Sequence, residues 1–461
     1  MPHTRVLKKG KQCDLQLLAA RVSILRCPLI VPVAIVLASA GCGRPSAPDN
    51  LVAERQPGPD DVAVGEWVGT MVTDAGITTV VNESGSLWGG AAELVEEASI
   101  GVSAGTSEYM LGLIGGIHLT EDRIYVTDTS VPTLRVYDHD GRFIETIGRP
   151  GQGPGEYTTP TTVTTAPDGR IFLYDMNSHR VNVYSPTGES IDTYPGRVTC
   201  CLAMRVDDSG RLWAPFQRVS LGAGREIEQR YGIRELGPDA APGSSWELLE
   251  PAPDDIQVQI PSRRPKRVPF SPTRVWAVAE PATVVVGTGA EYQYSVQREG
   301  RIVRIVKKSW EPVAIREEHI SWARDLFIAS VRQVAPADWE WDGAEMPPTQ
   351  PAFTTLAATA TGEVWVRRPG DSTRAAECSE DPIRDGSAEA RRRPCWSTEW
   401  FLDVFDAEGR LMGSLVMPKG FSSIPRYLDA LGDNVVSLVE DDAGTIMVKR
   451  YRLVGAGGVG F

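Results

Sequence analysis

Residues 123–148 read RIYVTDTSVPTLRVYDHDGRFIETIG, and residues 170–194 read RIFLYDMNSHRVNVYSPTGESIDTY. Set one above the other, Ile124, Asp128, Val136, Tyr137 and Gly141 recur 47 positions later as Ile171, Asp175, Val183, Tyr184 and Gly188. A fixed offset of this size marks a repeat architecture. The theme of a glycine turn followed by an apolar-aromatic-apolar triplet returns at Gly169-Arg170-Ile171-Phe172-Leu173, at Gly210-Arg211-Leu212-Trp213-Ala214 and at Gly362-Glu363-Val364-Trp365-Val366. Turn dipeptides such as Asp168-Gly169 and Ser209-Gly210 precede these β-favouring triplets, which is the signature of hairpins. Several triplets are apolar on both faces, so each sheet is expected to lie between two others.

Read as four strands each, the repeats occupy about 115–148, 160–194, 199–249, 274–306, 351–415 and 423–454. The last holds only three clear strands. The lone strand Gly76–Asn82 is the expected partner that completes it, closing a ring with no unpaired edge at the seam. The fold class is therefore all-β, a six-bladed β-propeller of four-stranded antiparallel blades closed by an N-terminal strand; seven blades is the competing count.

The pattern Asp-Gly-x-Ile-Tyr-Val-x-Asp followed by Arg-Val-x-Val-Tyr-x-x-x-Gly resembles NHL-type six-bladed β-propellers. It looks especially like the bacterial envelope lipoprotein branch of undefined activity. The loop Gly148–Tyr157 and the segment Pro351-Ala352-Phe353 are similar to theirs. The resemblance is close over 110–200 and looser over 274–454. It implies a fold and leaves the activity open.

Composition agrees with a folded, largely β body: 461 residues, 42% hydrophobic, 23% charged, with Gly 45 and Pro 34. A coiled coil, a polytopic membrane protein and a fully disordered chain are excluded by that balance. The N-terminus reads as an address. Six basic residues between Arg5 and Arg26 precede the apolar run Cys27–Gly41, and Cys42 follows. A spanning helix needs about 20 apolar residues, so residues 1–41 are read as a signal peptide. Ser39-Ala40-Gly41-Cys42 resembles a lipobox, which implies acylation of Cys42 and anchoring to a membrane; Gly43 is not the aspartate associated with inner-membrane retention, so the outer membrane is the expected destination. Ala38-Ser39-Ala40 also fits ordinary secretion. Residues 42–65 form a Pro- and Gly-containing tether, and 66–461 the propeller.

Without the leader, 41 basic residues face 59 acidic ones, a formal charge of −18. That charge argues against nucleic acid. The cluster Arg263, Arg264, Lys266 and Arg267 sits among prolines and reads as a solvated loop. The glycines of 148–155 do not form a phosphate cradle, because the β-branched run after them does not open a helix.

Three insertions are expected, near 217–272, 307–350 and 367–399. The second spaces Ile315, Ile320, Ala323, Phe327 and Val331 as a helix bounded by Pro312 and Pro336. The third carries Cys378 and Cys395, which an oxidising compartment would pair. Cys200 and Cys201 are read as buried thiols or a vicinal bridge; a four-cysteine zinc site has the wrong spacing.

Catalytic motifs are sparse. Four histidines follow the leader, and no G-x-S-x-G, H-E-x-x-H or S-x-x-K stands in a suitable context. His118, Asp128, Asp175 and His179 are the candidates for a channel mouth, the two aspartates having turn-capping as their plainer role. No catalytic residue and no metal ligand set is assigned, and no cofactor is expected beyond a calcium or zinc ion in the channel. The expected function is a lipid-anchored envelope module binding a protein, peptide or glycan. The alternatives are a metal-dependent, lactonase-like hydrolase or lyase, or an assembly lipoprotein. An aromatic rim would favour the binder, and Trp339-Glu340-Trp341 is its candidate.

Overall fold

A computed structural model describes residues 65–199, 202–221, 227–239, 243–249, 256–261, 265–336, 338–341, 345–376, 378 and 395–455. The signal peptide, Cys42, most of the tether, Cys200, Cys201, Arg263 and Arg264 lie outside the described residues.

The chain is a six-bladed β-propeller, all-β with a single helix among the described residues. The first blade comprises Ile114–Leu119, Ile124–Asp128, Thr133–Tyr137 and Phe143–Ile147, from the channel outward. The second follows with Pro160–Thr165, Ile171–Asp175, Arg180–Tyr184 and Ser190–Pro195. The third has Arg205–Val206, Leu212–Leu221, Ile227–Leu236 and Ser245–Glu247, and the fourth Val275–Val278, Thr283–Gly287, Gln293–Arg298 and Arg301–Lys308. The fifth has Thr355–Ala358, Val364–Arg374, Trp396–Phe405 and Leu411–Val416. The triplets that are apolar on both faces are the second strands. Ile124–Asp128, Ile171–Asp175 and Thr283–Gly287 are buried along their whole length, because each is covered by sheets on both sides.

The sixth blade, Leu428–Leu431, Asn434–Glu440 and Ile446–Val454, is completed from the N-terminus by Glu93–Ile100. The closing strand is thus a later one than Gly76–Asn82. Residues Ile77–Ser84 instead form a hairpin with Val68–Asp74 and pair in parallel with Arg301–Lys308, widening the fourth blade to six strands. Asn82 fixes that choice. Its amide donates to the Lys307 and Gly409 carbonyls at 3.0 Å and accepts from Trp67 Nε1 and the Leu411 N–H. The N-terminal segment then follows the outer edge of the fifth blade, where Trp88 donates its N–H to the Met412 carbonyl and fills the space over Gly413.

The first insertion is shorter than expected, since 217–221 and 227–236 belong to the third blade's own long hairpin. Its remainder, with the short pair Gln257–Val258 and Lys266–Arg267, packs on the helix Glu317–Arg332. Val258, Ile260, Val268, Ala323, Val331 and Trp339 form a separate small core there. Cys378 and Cys395 are joined by a disulfide at the end of the fifth blade's long hairpin. The adjoining Trp396 stacks on His319 of the helix, with ring centroids 4.7 Å apart. No helix among the described residues is long and apolar enough to cross a membrane.

Candidate functional site

The innermost strands bring one polar contact from every blade to the same end of the channel. His118 of the first blade lies 2.8 Å from Asp429 of the sixth through Nδ1, and 3.0 Å from Thr165 Oγ1 of the second through Nε2. Arg205 of the third blade donates to the carbonyls of Ala279 and Ala358, at the fourth and fifth blades, both at 2.7 Å. Burial pushes the Asp429 pKa up, but hydrogen bonding and charge from His118, with Arg205, bring it below the usual carboxylate range. Burial lowers the pKa of Arg205. A cavity of about 10 Å³, roughly room for one water, lies there, lined in part by Gly116, His118, Arg205 and Asp429. Glycine allows the close approach: a Cβ on Gly116 would sit 2.5 Å from the Thr161 carbonyl oxygen.

The four channel-mouth candidates do not come together. His118 pairs with Tyr125 near one end of its strand, whereas Asp128 pairs with Ile114 at the other. Asp128 is fully buried and accepts from the Gly112 N–H, the Ser130 N–H and hydroxyl, and Arg135. Asp175, equally buried, accepts from the Thr158 and Thr159 N–H groups and the Ser178 hydroxyl. Each carboxylate ties its own turn to the segment entering its blade, and neither faces an open channel. His179 is exposed in the turn after Asp175, with φ 53°. Among the described residues no three His, Cys, Asp or Glu side chains converge as a metal site would require.

The Gly148–Tyr157 loop is tied down by protein groups. Arg180 donates to the carbonyls of Gln152, Gly153 and Glu156, and Tyr184 to that of Gly155. Trp339 and Trp341 do not make a rim either. Trp339 is buried and donates to the Gln259 carbonyl, and Trp341 meets the edge of Phe327 in the helical lobe.

A second polar cluster joins the fourth and fifth blades. Asp403 has no exposed surface and lies 3.1 Å from both Lys308 Nζ and Arg368 Nε. Tyr292 and Ser414 also donate to it, at 2.5 and 2.6 Å. Burial opposes its charge, but Arg368, Lys308 and the two hydroxyls outweigh that and hold its pKa far below the carboxylate range. Burial pushes Lys308 down, with Asp403 opposing the shift. With every group facing another, the cluster acts as a strut between blades. Both Asp403 and Asp429 announce themselves weakly in sequence, as lone carboxylates inside apolar runs (Phe401–Phe405 and Leu428–Leu431).

The roomy opening lies between the second and third blades, a cleft of about 800 Å³. His179, Arg197, Arg218 and Arg234 line it over an apolar base that includes Val198 and Leu236. Burial lowers the pKa of Arg234; Tyr174 opposes that shift and the charge of Arg218 adds to it. Sequence reasoning missed this site because its arginines are spread over two strands and a connection with no shared spacing.

Residues 105–231 match a family described as 6-bladed beta-propeller, DUF5128, over the first two blades and into the third. No curated protein matches the chain. Among solved structures, a Bacteroides vulgatus member of the DUF4221 family is similar at 11% identity and TM-score 0.41, covering 79% of this chain and 99% of its own. A Bacteroides fragilis protein, provisionally named as exported, gives 11% and 0.40, with coverages of 78% and 95%. Virginiamycin B lyase from Staphylococcus aureus gives 10% and 0.36, with coverages of 78% and 99%. The family match and the six sheets of the ring agree on one statement: the chain is a six-bladed β-propeller.

Proposed function

We propose that this chain is a noncatalytic binding module of the cell envelope, lipid-anchored through Cys42 to the outer membrane and presenting its propeller to a protein, peptide or glycan. The observation that carries this reading is the state of the channel. At one end His118, Thr165, Arg205 and Asp429 spend their polar atoms on one another and on backbone carbonyls. At the other, Asp128 and Asp175 are saturated by loop donors. An acid–base or metal-assisted reaction needs groups that face a substrate, with their pKa values pushed apart in an accessible site. Without residues 1–41 the formal charge is −18, which speaks against nucleic acid as the partner.

The test is a metal analysis of the purified protein together with hydrolase and lyase assays on wild type, His118→Ala, His179→Ala and Asp175→Asn. No stoichiometric metal and no turnover in any of them is expected. Tight zinc or calcium, lost together with a measurable activity in those variants, overturns the reading in favour of a lactonase-like or lyase propeller.

A further inference from the structure

We propose that the cleft between the second and third blades binds an acidic peptide segment, whose carboxylates meet Arg197, Arg218 and Arg234 while its apolar side chains lie over Met176 and Pro195. The inference deepens the binding reading above and rests on it.

Positive charge is concentrated here on a strongly acidic protein. Arg234 is half-buried, donates to the Arg197 carbonyl, and keeps a buried Nε with no hydrogen-bond partner. Among the described residues it forms no ion pair with Glu235, also in the lining, and no carboxylate acts on its charge. A guanidinium held out of water beside a second one is costly unless an anion arrives, and its planar fork suits a carboxylate. Arg218 already shares Glu247, at 3.3 Å, and lies over the Phe216 ring. It is therefore a weaker contributor than Arg234. His179 adds a further polar group at the cleft edge.

The lining chooses between peptide and glycan. Sugars are gripped by exposed aromatic faces, but both aromatic rings of the cleft are spent. Tyr174 is 1% exposed, and Phe216 is 6% exposed beneath Arg218. What remains open is aliphatic and cationic: Met176 is 40% exposed, and Pro195 and Arg197 are exposed beside it. The volume suits a few residues of extended chain.

The experiment measures fluorescence anisotropy of a labelled Glu-Leu-Glu-Leu-Glu-Leu peptide on the purified protein, with a Lys-Leu peptide as charge control. Oligogalacturonate is the competing glycan. The acidic peptide is expected to bind, and more weakly as salt rises. Arg234→Gln should weaken it by about ten-fold or more, the cost of removing one charge-assisted contact from a desolvated site. Arg142→Gln, on an exposed turn of the first blade, should not. Arg218→Gln is an exposed substitution that keeps the test open if Arg234→Gln does not fold. Equal affinity in wild type and both folded cleft variants, or no binding of the acidic peptide, overturns the cleft. Tighter binding of galacturonate at the same arginines overturns the peptide class. The broader reading fails separately: peptide recovered cleaved would end the noncatalytic proposal and leave the cleft standing.

Discussion

His118 Nδ1 lies 2.8 Å from Asp429 Oδ2, 311 residues further along the chain, so the first and last blades are pinned at the channel as well as at the outer seam. Asp429 also accepts the Leu119 N–H at 3.0 Å. Removing the imidazole takes a hydrogen-bond partner from a buried carboxylate and leaves it the Leu119 N–H and the charge of Arg205. His118→Ala should therefore lower global stability by about 3 kcal/mol, as for other broken buried pairs. Denaturant unfolding followed by tryptophan fluorescence checks this. A midpoint equal to wild type would show that the contact contributes nothing to ring closure.

Closure itself yields a second prediction. Glu93–Ile100 completes the sixth blade, whereas the hairpin Val68–Ser84 adds to the fourth. A chain beginning at residue 85 should keep one cooperative transition at a reduced midpoint, having lost the Asn82 contacts. A chain beginning at residue 101 exposes the Ile446–Val454 edge and should aggregate or lose cooperativity. Equal behaviour of the two truncations would contradict the assignment of the closing strand.

These contrasts show what local sequence carries and what it does not. The 47-residue offset revealed blades one and two because Ile124, Asp128, Val136, Tyr137 and Gly141 recur at one spacing across their second strands, third strands and turns. Strand Ile77–Ser84 was recognisable as a strand, yet its partner was not. The β-branched run from Ile77 to Val81 suits any half-buried strand, and only the Asn82 contacts to Lys307, Gly409 and Leu411 select the fourth blade. His118 was legible as an inner-strand residue, but Asp429 and Arg205 reach it through the ring and share no spacing with it. The arginine cleft was invisible for the same reason.

The disulfide should act locally. Cys378 and Cys395 are 17 residues apart, and Trp396 beside the bridge stacks on His319. Closing a loop of that length is worth about 3 kcal/mol in the chain-entropy account. The double variant Cys378→Ser, Cys395→Ser should expose amides of the helix Glu317–Arg332 to faster hydrogen exchange while protection in the first two blades is unchanged. Uniform loss of protection across all blades would contradict a local role.

Anchoring is tested at Cys42. Fatty-acid label should enter the wild-type protein and be absent from Cys42→Ser, which should leave the membrane fraction. Unlabelled, soluble wild type with its N-terminus at Gly41 would replace acylation by ordinary secretion.

Acid should unfold the propeller from between its blades. Asp403 and Asp429 both have folded-state pKa values below the unfolded one, Asp403 by far the more, despite burial that works the other way. A depressed carboxylate stabilises the fold above its unfolded pKa of about 3.9 and loses that contribution as pH falls toward its folded value. The unfolding midpoint should therefore be insensitive to these two groups above about pH 5 and drop steeply below about pH 4. Asp403→Asn removes the charge that Lys308 and Arg368 face. That variant should start less stable at neutral pH, because two buried cations lose their anion, and should show a shallower decline in acid. Thermal melts of both proteins from pH 7 to pH 3 give the two slopes. A variant as stable as wild type at pH 7, or one with the same acid slope, would mean that the Asp403 cluster does not hold the fourth and fifth blades together.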